Sequence, residues 1–250
     1  MTPEHDFTGR LVFLHGFTQT HHHWHDGAHL VADRLSHRTT LAFVDLPGHG
    51  LSDADRTGIL RSDADLIAVG GAGTYIGSSM GGRFGLVAAL AGRPEVERRR
   101  LDHERADHLE QFGVDRFLDE WRAAPMFAGL PPDPDGLEHR RRNAAGGLAH
   151  SLRTCGTGDQ GSLWRQLDRV TIPVLVIAGA HDTKFSALGR RMVEALPNAT
   201  FASIPDAGHA AHTEQPAVTA DSIATWLTAT DHRPPTTRRE QSVNTPSAGA

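Results

Sequence analysis

Three side chains far apart in this 250-residue sequence, Ser79, Asp182 and His209, could together move a proton. A serine hydroxyl is a poor nucleophile or base until an imidazole takes its proton, and a carboxylate must hold that imidazole in one tautomer and balance its charge. Ser79 stands in Gly77-Ser78-Ser79-Met80-Gly81-Gly82, between the β-prone run Thr74-Tyr75-Ile76 and the helix-prone run Arg83-Phe84-Gly85-Leu86-Val87-Ala88-Ala89-Leu90-Ala91. Strand, sharp turn and helix is the setting in which Gly-x-Ser-x-Gly lifts a reactive serine clear of a sheet. Side chains at 77 and 81 would crowd that turn, so glycine is required there. The turn also leaves the Met80 amide at a helix N-terminus, aimed at developing negative charge. In a chain with 26 glycines the pentapeptide is weakly specific alone, and its weight comes from Asp182 and His209. His212 is the nearest rival to His209; the Gly208-His209 pair favours His209.

These groups need a scaffold, and the hydrophobic pattern supplies one. Leu11-Val12-Phe13-Leu14 is a continuous apolar run, as expected of a strand buried on both faces of a parallel sheet. Thr40-Leu41-Ala42-Phe43-Val44 is a second strand, Ile172-Pro173-Val174-Leu175-Val176-Ile177-Ala178-Gly179 delivers Ala180-His181-Asp182, and Thr200-Phe201-Ala202-Ser203-Ile204 leads to His209. Residues 24–35, 63–69, 188–196 and 217–227 read as helices, and 114–152 as helical pieces broken at Pro125 and Pro131-Pro132-Asp133-Pro134. Chain order Ser, Asp, His, each after a strand, is the order of the α/β-hydrolase fold. In that fold a His-Gly loop after the first strand gives the second oxyanion amide, here that of Phe17 in His15-Gly16-Phe17-Thr18-Gln19-Thr20. Asp45-Leu46-Pro47-Gly48-His49-Gly50-Leu51-Ser52 reads as a shaped turn at the same sheet edge.

Composition limits the partners. Net charge is −5 from 25 basic and 30 acidic residues, so no global basic field argues for nucleic acid, and no apolar run argues for a membrane. Lys184 is the only lysine; arginine's planar fork suits carboxylate ligands. The single cysteine, Cys155, fits a reducing, cytoplasmic setting. His21, His22, His23 and His25 could bind a metal, but no carboxylate or cysteine pattern completes a site, so the expectation is a solvated loop and no metal.

The sequence resembles the 2-succinyl-6-hydroxy-2,4-cyclohexadiene-1-carboxylate (SHCHC) synthases of menaquinone biosynthesis over residues 10–228. The resemblance is carried by the His15 to Thr20 loop, Gly77 to Arg83, Phe117-Leu118-Asp119-Glu120-Trp121 with Pro125-Met126-Phe127, and Arg141-Arg142-Asn143. Gly156-Thr157-Gly158 with Ser162-Leu163-Trp164, His181-Asp182-Thr183-Lys184-Phe185, and Gly208-His209-Ala210-Ala211-His212-Thr213-Glu214-Gln215-Pro216 complete it. It implies a lyase that eliminates pyruvate from a small, multiply anionic carboxylate, with no cofactor. Ser79, Asp182 and His209 would be catalytic, Phe17 and Met80 the oxyanion hole, and Arg83, Trp121, Phe127 and Arg141 the substrate contacts, with a further arginine from 98–100. Rival readings are an esterase, thioesterase or carbon-carbon bond hydrolase with the same triad, and a non-catalytic ligand-binding protein.

Two departures stand out. Ser78 replaces the family's tyrosine before the nucleophile. Beyond Pro94, where the fold calls for a buried strand, residues 95–111 are charged and helix-prone. The expectation is one α/β-hydrolase domain over residues 1–230, mostly parallel and doubly wound, with a helical lid about 100–165, one strand fewer than usual and a disordered tail at 231–250. Losing that strand would leave a gap or displace Asp182 by about one strand spacing, roughly 4.8 Å, enough to impair the triad.

Overall fold

The computed structural model describes residues 9–35, 39–52, 70–71, 73–89, 96–132, 134–156 and 162–230; the helix expected at 63–69 and the tail at 231–250 lie outside them. Strand β1 (Arg10–Leu14) is central, flanked in parallel by β2 (Thr40–Val44) and β3 (Thr74–Gly77) in the order β2-β1-β3. Leu11, Val12, Phe13 and Leu14 are all fully buried, because helices cover both faces. Alternation along the strand divides them. Leu11 and Phe13 pack with Ala28 and Val31 of α1 (His25–Ala32) and with Ile223 and Leu227 of the C-terminal helix α7 (Pro216–Ala229). Val12 and Leu14 pack with Met80 and Phe84 of α2 (Met80–Ala89) and with Leu46.

After α2 the chain is helical from Val96 to Arg122 (α3), with a break at Gly113, whose φ of 81° suits glycine. Residues 90–95, where the additional strand would begin, lie outside the described set. Helices α3, α4 (Pro134–Arg141) and α5 (Ala145–Cys155) occupy the stretch expected as a lid, and Leu109 and Phe117 of α3 pack against Leu148 and Leu152 of α5.

Strands β4 (Val174–Gly179) and β5 (Ala199–Ile204) pair in parallel as a separate two-stranded sheet, joined by α6 (Thr183–Ala195). Among the described residues no strand bridges β3 to β4, so alternate residues of each turn their N–H and C=O away from their single neighbour. Side chains join the halves instead. Ile76 of β3 and Leu175 and Ile177 of β4 pack on the same cluster as α1 and α7, and on the other face Leu86 of α2 packs with Val174 and Val176. Burial differs between the two sheets: Val174, Leu175, Val176 and Ile177 are only partly buried, where Leu11 to Leu14 of β1 are wholly so.

Helix α6 begins at Thr183, five residues before the expected 188, because Asp182 caps it: Asp182 Oδ1 accepts a hydrogen bond from the Phe185 amide at 3.1 Å.

Candidate active site

The elbow follows from close approach. A Cβ at Gly77 would lie 2.4 Å from the Gly81 carbonyl carbon, and one at Gly81 would lie 2.3 Å from Leu14 O. Ser79 itself sits at φ 49°, a left-handed conformation that costs a non-glycine residue about 1–2 kcal/mol. Hydrogen bonds from Ser78 N to Leu14 O (3.1 Å), Gly81 N to Ser78 O (2.8 Å) and Arg83 N to Ser79 O (3.1 Å) hold it there.

Ser79, His209 and Asp182 meet. His209 Nδ1 lies 2.8 Å from Asp182 Oδ2, and His209 Nε2 lies 3.4 Å from Ser79 Oγ. With Asp182 ionised, Nδ1 carries the proton and Nε2 presents its lone pair to the serine. The expected displacement of Asp182 is therefore absent. Asp182 follows β4 and His209 follows β5, and those strands are paired over six residues, so a lesion between β3 and β4 cannot part them. Only the Ser79–His209 contact crosses from one half-sheet to the other, and it is the longer of the two.

Glu214 fixes the loop that carries His209. Its carboxylate accepts from Gly208 N at 2.7 Å and from Ala210 N at 3.0 Å, one residue to each side of the histidine. Charge-assisted bonds of this kind are about twice as strong as neutral ones. Sequence reading included Glu214 only as a motif letter; its carboxylate role is set by the turn at Ala210–Glu214 and has no local signature. Glu214→Gln weakens both bonds and should lower kcat at least about tenfold while changing KM less than about twofold. Equal losses in both parameters would show that Glu214 acts on binding instead.

The loop after β1 is equally tethered. Thr18 has φ 68°, unusual for a β-branched residue, and three partners hold it. Its amide donates to His49 Nε2 at 3.3 Å, its carbonyl accepts from Asn143 Nδ2 at 2.9 Å, and its hydroxyl accepts from Arg140 Nη1. His15 closes the base of the loop, with Nδ1 donating to Gly16 O at 2.8 Å and Nε2 accepting from Leu46 N at 2.9 Å. Both imidazoles are buried and neutral: burial lowers His15 to about 4 and His49 to about 3. Gly16 N is taken by Gln19 Oε1 at 2.7 Å and Thr18 N by His49. Among the described residues, the turn and loop bonds use neither the Phe17 nor the Met80 amide.

Aromatic rings wall the space above. Phe127 lies edge-on to His209 with centroids 5.8 Å apart, Trp121 lies 5.8 Å from Phe127, and Phe17 lies 5.5 Å from Trp121. Phe185, 4.7 Å from His209, completes the wall and was not singled out as a site residue from sequence.

The arginines divide. Arg83 is partly buried and donates Nη2 to Cys155 O at 3.1 Å, beside the elbow. Arg141 is not brought to the triad: it is exposed and pairs with Asp115 at 2.9 Å, at the outer face of α4. A helix turns adjacent residues about 100° apart, and it is Arg140 that faces inward, 8% exposed. Arg100 is exposed and pairs with Glu104, while the side chains of Arg98 and Arg99 lie outside the described residues.

Comparison with known proteins agrees with this fold. A family model described as "Alpha/beta hydrolase family" matches residues 11–222. The chain is 30% identical to the 2-succinyl-6-hydroxy-2,4-cyclohexadiene-1-carboxylate synthase of Escherichia fergusonii over 246 residues, covering 87% of this chain and 93% of the relative. It is likewise 30% identical to the synthase of Salmonella typhimurium over 249 residues, covering 88% and 94%. Among solved structures, MenH from S. aureus matches with TM-score 0.75 and 28% identity over 88% of this chain and 93% of that one. An esterase from Thermogutta terrifontis matches with TM-score 0.67 at 19% identity, a likeness of fold alone. No helix among the described residues is long and apolar enough to cross a membrane.

Proposed function

Because this chain belongs to the α/β-hydrolase family and, within it, to the SHCHC synthases, we propose that it eliminates pyruvate from 2-succinyl-5-enolpyruvyl-6-hydroxy-3-cyclohexene-1-carboxylate, with Ser79, His209 and Asp182 as its proton-transfer machinery. The observation that carries the reading is the hydrogen-bonded sequence from Ser79 Oγ through His209 to Asp182 beneath the Phe127 and Trp121 rings.

The bond changes follow from substrate and product. A 3-ene becomes a 2,4-diene, so a proton leaves ring C2, the double bond moves to C2=C3, a new one forms at C4=C5, and the C5–O bond to the enolpyruvyl group breaks. His209 Nε2 takes the Ser79 proton, and Ser79 Oγ takes the proton from C2. C2 bears the succinyl ketone, so negative charge collects on the ketone oxygen as the proton departs. The Phe17 and Met80 amides, which no turn or loop bond uses among the described residues, would receive that oxyanion, and removing one such donor from a comparable site costs about 10²- to 10³-fold. Enolpyruvate departs and, on protonation at carbon, becomes pyruvate.

The substrate carries three carboxylates, and Arg83 is the guanidinium beside the elbow for one of them. Arg140 and Asn143 hold the Thr18 turn and with it the Phe17 amide. Ser78 offers no phenol where the family has one. Asp182 caps α6 and orients His209 with separate oxygens. The Ser79–His209 contact of 3.4 Å has the looseness usual of a catalytic pair without substrate and would tighten in the reacting complex. A cytoplasmic setting accords with the single free thiol of Cys155.

An acyl-transfer enzyme would use the same three groups differently. The purified chain should release pyruvate from the enolpyruvyl substrate and show no acyl-enzyme burst with p-nitrophenyl acetate; a stoichiometric burst without pyruvate release would assign it to ester hydrolysis.

A further inference from the structure

We propose that His21, His22 and His25 form a binding site for one divalent transition-metal ion of the zinc type, between the loop after β1 and lid helix α4. One ring nitrogen from each lies within 4.8 Å of those from the other two. An ion at the centre of such a triangle would be at most about 2.8 Å from each donor, so rotations moving each nitrogen by about 0.7 Å reach the ordinary Zn–N distance of about 2.1 Å. Three imidazoles and one open position form a donor set that suits zinc, nickel, copper or cobalt rather than magnesium or calcium.

The carboxylate that sequence spacing did not supply comes from β2's end. Asp45 Oδ2 lies 2.7 Å from His21 Nδ1, and Oδ1 accepts from the His21 amide at 2.7 Å. That pairing fixes the tautomer: Nδ1 carries the proton, and Nε2 keeps the lone pair a metal needs. A ligating histidine backed by a carboxylate is the usual outer-shell arrangement at metal sites. The cluster is also not a solvated loop. All three histidines are partly buried; His21 and His22 lie in the turn His21–Trp24 and His25 opens α1.

Neighbouring rings hold the donors in place. His139 of α4 stacks on His22 at 3.8 Å and 16°, and Phe43 packs edge-on to His25 at 4.7 Å. His23 lies outside the donor set, since Nδ1 accepts from Thr20 N at 3.2 Å and Nε2 donates to Gly136 O at 3.1 Å. It ties the turn to α4, so an ion on its neighbours would brace the lid against the loop that carries Phe17.

The test is a zinc titration of the tag-free, chelator-stripped chain against a chromophoric zinc competitor, repeated with His22→Gln and His25→Ala, each checked for folding by circular dichroism. The expected result is one ion per chain, a raised Tm, and a loss of affinity of at least about tenfold in either variant. His150→Ala, elsewhere on α5, should bind as the wild type does. Cobalt should give the visible absorption of a four-coordinate site in the wild type and lose it in His25→Ala, a readout independent of stability. Unchanged binding in both His22→Gln and His25→Ala, or affinity no better than about 10⁻⁴ M, would overturn the proposal.

Discussion

Asp182→Asn should slow pyruvate release by about 10³- to 10⁴-fold while leaving the fold in place. The carboxylate serves two partners, Phe185 N through Oδ1 and His209 through Oδ2. An asparagine can keep the cap with its carbonyl, but it then turns an NH2 toward His209 Nδ1. The imidazole answers by moving its proton to Nε2, where it faces Ser79 Oγ and can no longer accept. Asp182 is not among the proposed substrate contacts, so KM should move little. A kcat loss below about tenfold, with the circular dichroism spectrum retained, would show that His209 is not the proton acceptor.

The second large effect is on stability, and acid should bring it out. Burial lowers His15 to about 4 and His49 and His212 to about 3, and each sits in the interior as a neutral ring. An unfolded chain protonates its histidines near pH 6.5, so below that pH the unfolded state binds more protons and stability falls as pH falls. The contribution is intact above about pH 6.5. At pH 5 each group has cost about 2 kcal/mol and the three together about 6 kcal/mol, against a typical total of about 5–15 kcal/mol. Tryptophan fluorescence should therefore report cooperative unfolding between about pH 5 and pH 4. His212 stacks on Trp24 at 4.5 Å, and its Nε2 is buried with no hydrogen-bond partner among the described residues. His212→Phe keeps the stack and removes the titration, so it should shift the acid midpoint downward. A chain still folded at pH 3.5, or a midpoint unmoved in His212→Phe, would contradict this account.

What sequence alone revealed was whatever is local. Four consecutive apolar residues declared β1 as a strand covered on both faces, and glycines two positions either side of Ser79 declared an elbow, because each constraint acts within a few residues. Ser79, Asp182 and His209 were legible for the same reason: each ends a recognisable strand. Partnerships across the chain were not. Arg140 and Asn143 reach Thr18, 122 and 125 residues earlier, and Asp45 reaches His21 across 24. No spacing rule connects them, which is why Arg140 was not singled out and why the histidine run seemed to lack a carboxylate. Asp182, read from sequence as the partner of His209, both hydrogen-bonds that ring and caps α6.

The strand question has a similar cause. Charged, helix-prone residues after Pro94 interrupt the strand pattern, but how the two described sheets sit together depends on packing. Here the halves share clusters on both faces through Ile76, Leu86, Leu175 and Ile177, and the acid-base pair lies wholly on one half. Of the triad contacts, only the one at Ser79 joins the two sheets of the described residues.

The decisive measurement is pyruvate formed per enzyme from the enolpyruvyl substrate, followed through lactate dehydrogenase and NADH, for the wild-type chain beside Ser79→Ala. Multiple turnovers by the wild type, cut by about a thousandfold or more in the variant, are the expected result. Pyruvate release at equal rates from both proteins, or none from the folded wild type, would contradict it.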